Sequence, residues 1–262
     1  MKAHRIKAVI KRHLYEARRN FDRISEIFYW PVIDIIIWGF LTIYLAREEN
    51  LELTFVSFLL GAAILWGTFF VFQRDLALGF LDELWARNLL NLFSTPLKIS
   101  EYLIGLIIVN FIKMILGFLA ASLFSMLFYS FNIFPYIIKF LPFFFNLIFF
   151  AFSIGLIITA LIVRYTTKIQ MLAWSFSGLL QPVSCVFYPL RILPKFLQAV
   201  AWYLPTTHSF EGMRQIIAGG GFSHQNFWWG IYLNIMYLIL ASLWFGYIFK
   251  IAKDKGLLVK LD

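Results

Sequence analysis

Three polar side chains interrupt long apolar runs, and they are the first candidates for chemistry. Asp34, Asn110 and Lys113 each fall where the flanking residues are almost all hydrophobic. A charge in such a run is costly in lipid and either pairs with another helix or faces water, a pathway or a gate. Asp34 pairs with an interfacial Arg or serves a substrate path. Lys113 snorkels towards the interface, or with Asn110 forms a small polar face that meets Asp34 or a second copy. Asn146, Gln181 and Asn234 suit interhelical hydrogen bonds. Glu211 and Arg214, three residues apart, form a local ion pair or take part in conduction or gating.

Catalytic sets are missing from the sequence. His4, His13, His208 and His224 all lie outside the apolar runs, and no H-E-x-x-H or paired intramembrane carboxylates occur. Cys185 is alone, so it supports neither an internal disulfide nor a cysteine metal cluster. Gly219-Gly220-Gly221 has no following Lys-Ser/Thr, and no G-x-x-x-x-G-K-[ST] occurs anywhere, so a P-loop nucleotide site is excluded. The expectation is no enzyme, with no catalytic residues and no metal or cofactor on this chain.

The elements that carry these residues follow from composition. Of 262 residues, 61% are hydrophobic and 14% charged, with mean hydropathy +0.78. A soluble domain of this length averages about 25% charged residues and cannot bury so much apolar side chain. The runs are continuous and about 20 residues long, which fits helices and not the alternation of a barrel. Six spans are predicted, at Phe28–Ala46, Leu53–Phe72, Tyr102–Phe128, Leu141–Val163, Ile169–Val186 and Phe227–Phe249. The fold class is all-α: a polytopic, six-helix transmembrane domain covering 1–262. No cleavable signal peptide is expected, so the first span serves as the targeting signal and stays.

Net charge +9 belongs to span ends rather than to one polar domain, so it points away from nucleic acid. With both termini inside, 17 of the 23 Lys and Arg residues fall on the inner side and 5 in outer loops. The positive-inside rule therefore places both termini in the cytoplasm and turns the acidic segment Glu48-Glu49-Asn50-Leu51-Glu52 outward.

Three segments do not read as spans. In residues 1–27, Ile6, Ile10, Leu14, Ala17, Phe21 and Ile24 recur every three or four positions, continuing to Phe28. Lys7, Lys11, Arg12, Arg18, Arg19, Asp22, Arg23 and Glu26 fill the remaining face. This is an interfacial amphipathic helix. It anchors the first span, or also meets a cytoplasmic partner or gates lateral lipid access. Trp30-Pro31 marks its turn into the membrane, and Asp34 then lies about 9 Å into the first span. Residues 74–92 read as a cytoplasmic helix. Arg74 and Asp75 end the second span, Leu78, Leu81, Trp85, Leu89 and Leu92 follow helical spacing, and Asp82, Glu83 and Arg87 add charge. Its exposed apolar surface suits docking, or else an interfacial connector. Thr95 then caps a helix starting at Pro96. In residues 187–221, Pro189, Pro194 and Pro205 divide an apolar stretch into two half-helices that dip in from the outer face and return.

Together these features resemble the type-2 exporter permease family, the membrane subunits of certain ABC transporters. The resemblance covers most of the chain. It rests on the six spans, the N-terminal helix, Ser94-Thr95-Pro96-Leu97, and the segment before the last span. That segment reads Phe187-Tyr188-Pro189-Leu190, Leu193-Pro194, Leu204-Pro205-Thr206-Thr207-His208 and Glu211-Gly212-Met213-Arg214. The resemblance implies export of a hydrophobic, lipid-linked or polymeric substrate from the bacterial inner (plasma) membrane. It implies a homodimer with two copies of a separate ABC ATP-binding subunit that holds ATP and Mg, in contact with membrane lipids. By position, it implies an ATPase-coupling helix carrying Arg74, Asp75, Asp82, Glu83, Trp85 and Arg87. It also implies a re-entrant gate at Pro189–Tyr203 and Thr207–Ala218, carrying Pro189, Pro194, Pro205, His208, Glu211 and Arg214. The competing readings are an ATP-independent channel or secondary transporter and an intramembrane enzyme.

Overall fold

The computed structural model describes residues 1–48 and 53–255. Glu49–Glu52 of the acidic segment lie outside the described residues. Ten α-helices follow one another, and no strand occurs among the described residues. They are α1 (Ala3–Arg19), α2 (Phe21–Glu48), α3 (Leu53–Trp85), α4 (Leu89–Ser94), α5 (Ile99–Tyr129), α6 (Phe134–Tyr165), α7 (Leu172–Leu180), α8 (Lys195–Trp202), α9 (Pro205–Ile217) and α10 (His224–Asp254).

Among the described residues, five helical stretches are long and apolar enough to cross a membrane: Arg23–Leu45, Ser57–Trp85, Ile99–Tyr129, Phe134–Ile169 and His224–Asp254. The predicted fifth span, Ile169–Val186, is not one helix. It is built from a 3-10 turn at Thr166–Ile169, the nine-residue α7, and a second 3-10 turn at Gln181–Val183. Thr166 and Cys185, both at positive φ, bound it, and Pro182 removes an amide donor near its end. Even so, Gln170 meets Trp85 at one end of α3, Ser177 meets Gln73 midway, and the Cys185 carbonyl meets Arg214, which lies over the Phe58 ring near the other end. The segment therefore runs the length of α3.

The expected break after Phe72 does not occur. α3 continues through Gln73, Arg74 and Asp75 to Trp85, so no separate 74–92 helix exists. At 1.5 Å per residue its 33 residues span about 50 Å. It is the central rod of the bundle, buried on nearly every side by α2, α5, α6, α7 and α9. Three consecutive polar residues fit inside it because α7 supplies partners for Gln73, α5 supplies Lys113 for Asp75, and Arg74 pairs with Asp75 beside it.

The N-terminal expectation also needs correction. The interfacial helix ends at Arg19, because Asn20 is extended, and α2 begins at Phe21. Pro31 lies inside α2 and marks no turn. A proline frees the carbonyl one turn before it, here Ile27. That carbonyl faces Gly117 of α5, where an added Cβ would sit 3.2 Å from it. Glycine lets α5 pass close to the freed oxygen. The next helix starts at Ile99, not Pro96, because the Glu101 carboxylate takes the Lys98 N–H at 3.0 Å and sets the cap there.

Gly155 is a second close approach. A Cβ there would lie 2.9 Å from Leu76 Cδ2 and 3.2 Å from the Gln73 carbonyl, both on α3. Gly155→Val should force α3 and α6 apart and cost about 1–3 kcal/mol, lowering the melting temperature in detergent. Gly246→Ala, where nothing lies within 4 Å of the new Cβ, should leave it unchanged or raise it slightly.

Candidate functional site

Charged side chains gather at the Trp85 end of the bundle, where α1, α2, α3 and α5 meet. Arg5 of α1 lies 3.4 Å from Glu101 and also meets the Pro96 carbonyl. Glu101 further accepts the Lys2 N–H at 2.7 Å. Arg12 lies 2.8 Å from Glu83, which also accepts from the Asn88 amide at 2.8 Å. Arg23, at the start of α2, pairs with Asp82 and with Glu26. Deeper in, Lys113 of α5 lies 3.2 Å from Asp75, and Arg74 lies 2.9 Å from the same carboxylate. These contacts make a ladder of ion pairs with its acids mostly on α3 and its bases mostly on α1 and α2. Burial makes it stringent: Glu83 is almost wholly enclosed, and a buried carboxylate left unpaired costs several kcal/mol.

The six residues expected on a coupling helix therefore divide. Arg74 and Asp75 are inside the bundle, and Asp82 and Glu83 turn towards Arg23 and Arg12. Only Trp85 and Arg87 stand exposed, at the turn that ends α3. Arg87 is in the left-handed region there (φ 51°), which makes the turn sharp. Trp85 donates to Gln170 at 3.2 Å. The partners Arg5, Arg12, Arg23 and Glu101 were not singled out as pairs from sequence. Each looks like ordinary surface charge until the fold brings it to a residue 59 to 99 positions away.

The intramembrane polar residues divide as well. Lys113 meets Asp75 instead of Asp34. Asn110 is buried on the same face of α5, with its amide nitrogen unpaired. Asp34 has no hydrogen bond or ion pair among the described residues. With the span starting at Arg23, it lies about 17 Å in, not 9 Å, at the midpoint. Asn234 donates to both the backbone and side-chain oxygens of Asn146, each at 3.0 Å, joining α10 to α6. Gln181 makes no side-chain hydrogen bond of this kind among the described residues.

At the Phe58 end, α8 and α9 form the Pro-divided pair. Pro194 and Pro205 stand at their starts, and Pro189 precedes a 3-10 turn at Leu190–Ile192. α9 is packed against α6 and α10 and is largely buried. His208 donates from Nε2 to the Trp202 carbonyl at 2.8 Å, and its Nδ1 lies 3.2 Å from the Asn226 amide. One imidazole thus ties α8, α9 and α10. Arg214 lies 2.9 Å from Glu211, donates to the Cys185 carbonyl at 2.9 Å, and covers the Phe58 ring. Glu211 accepts the Leu190 N–H at 2.6 Å. Arg191, Gln198, Trp202, Glu211, Arg214 and Gln215 line a recess of about 660 Å³ here.

His13 gives the ladder a pH dependence. Burial, with the charges of Arg12, Lys113 and Arg23, lowers its pKa from 6.5 to about 4, and the Glu16 carboxylate 3.9 Å away does not offset this. Docked α1 therefore binds the proton less readily than released α1. Docking is at full strength above pH 6.5 and weakens as the pH falls towards 4, by up to about 3 kcal/mol. Hydrogen exchange of α1, corrected for intrinsic rates, should rise between pH 7.5 and 5, and His13→Gln should flatten that rise. A second expectation concerns Asp75→Ala, which strands Arg74 and Lys113. It should cost about 3–5 kcal/mol, read as a lower unfolding temperature.

Comparison with known proteins fits this arrangement. No curated protein matches the chain. Residues 4–218, from α1 to the end of α9, match the family described as ABC-2 type transporter. With that match over most of its length and its set of apolar helices, the chain is a multi-pass membrane protein that belongs to the ABC-2 type transporter family, as a membrane permease.

Proposed function

We propose that this permease is the membrane half of an ATP-driven exporter, working as two identical copies with two ABC ATP-binding subunits that carry ATP and Mg. Its cargo is hydrophobic, lipid-linked or polymeric, and its home is the bacterial inner membrane. The course of residues 166–185 along α3 supports a sixth crossing. Six crossings bring both termini to one side, and the Lys and Arg distribution makes that side the cytoplasm. The Trp85 end is then cytoplasmic and the α8–α9 pair is the outer, re-entrant element, closing the pathway from outside.

One observation carries the coupling mechanism: the exposed turn at Trp85–Arg87 is continuous with the central rod. A push from a closing ATPase at this turn acts on α3 itself, with no hinge between the turn and the core. The ion-pair ladder passes the same displacement to α1, α2 and α5. Trp85 and Arg87 are then the docking contacts, and Asp82 and Glu83 transmit the movement from inside.

The two roles separate experimentally. Tagged chain should copurify with a P-loop ATPase subunit. In liposomes, Trp85→Ala with Arg87→Glu should lower ATP-dependent transport tenfold or more while the unfolding temperature stays within a few degrees. Glu83→Gln should instead lower the unfolding temperature. Full coupling in the Trp85/Arg87 variant would refute docking at this turn, and transport by the chain without any ATPase would refute the exporter reading.

A further inference from the structure

We infer that Asp34, flanked by Trp30 and Trp38, is a binding site for the positively charged group of a hydrophobic organic cation. The inference begins with charge matching. Asp75, Asp82, Glu83 and Glu101 each meet a basic side chain of this chain. Asp34 meets none among the described residues, although it sits at the midpoint of its span. The bases of the ladder are already used: Lys113 by Asp75, Arg23 by Asp82 and Glu26, Arg12 by Glu83. An ionised carboxylate at that depth is stabilised by a counter-charge, and the described residues of this chain supply none.

The surroundings narrow the counter-charge. Trp30, Asp34, Ile37, Leu41 and Tyr44 recur at helical spacing and form one stripe along α2. Its apolar members are 41–60% exposed, so the stripe is not packed against the rest of the chain. Trp30 and Trp38 stand one turn before and one turn after Asp34, about 6 Å along the axis. Trp38 is held in place by stacking on Phe187, centroids 3.8 Å apart. Indole faces and a carboxylate together recognise an ammonium or phosphonium group. A hard metal ion needs about six oxygen ligands, and the stripe offers one carboxylate. The hydroxyl of Thr42 is already spent on the Trp38 carbonyl at 2.6 Å. The exporter reading is needed only to call the cation a cargo; binding is read on the purified chain alone.

The test is equilibrium binding to full-length chain in phosphatidylcholine nanodiscs, with empty nanodiscs subtracted. Tetraphenylphosphonium is the cationic probe and triphenylphosphine oxide the neutral one. Wild type should prefer the cation at least tenfold. Asp34→Asn should lose that preference while neutral-probe affinity stays within threefold, and Asp34→Glu should retain it. Trp30→Leu, an exposed position, should weaken cation binding several-fold and provides a second variant should Asp34→Asn fold poorly. No cation preference in wild type would overturn the site. So would undiminished preference in Asp34→Asn, or equal loss of both probes in Trp30→Leu.

Discussion

A carboxylate cannot be left bare in a medium that solvates charge poorly, and the bundle is arranged around that constraint. α3 carries the buried Asp75 and Glu83 and the half-buried Asp82, and α5 carries Glu101. Their partners cannot all come from the same helix. Arg5 and Arg12 come from α1, Arg23 from the start of α2, and Lys113 from α5. The pairs fix where α1 lies, how α2 leaves it, and the register of α5 against α3. Apolar packing alone would not, because lipid is as good a neighbour as Leu for most of these surfaces.

The same pairs explain how a rod of about 50 Å could act as one body. The polar residues near its middle would weaken it if they faced lipid. Gln73 instead meets α7 and Asp75 meets α5, so the interruption becomes two attachments. At the other end, Arg214 and Glu211 join α9 to α3 and to the backbone around Cys185 and Leu190. In the proposed orientation both faces of the membrane are thus tied to the same helix.

Much of the architecture was legible in the chain. The apolar runs, the basic N-terminal helix, the Pro-divided segment and the i, i+3 spacing of Glu211 and Arg214 are local patterns, and local patterns survive folding. What failed depended on distant partners. Gln73-Arg74-Asp75 looks like the end of a span because three polar residues in an apolar run usually mean water. Here α5 and α7 stand in for water, and nothing near residue 73 announces them. The apolar period of α1 continues smoothly to Phe28, which conceals the break at Asn20. Ile169–Val186 has the hydropathy of a span but is folded as three short pieces. Asp34 was visible as an oddity; its lack of a partner became apparent only once Lys113 was found with Asp75.

The ladder also sets an order of events during synthesis. Arg5 waits for Glu101, Arg12 for Glu83 and Arg23 for Asp82, gaps of 59 to 96 residues. At 5–20 residues per second, the acids emerge roughly 3–20 s after the bases. Throughout that interval α1 has six Lys and Arg residues against a single acid, Glu16, and one greasy side. Anionic headgroups are the nearest available partners. The membrane surface therefore acts as a temporary holder for α1, releasing it to the protein as each carboxylate arrives.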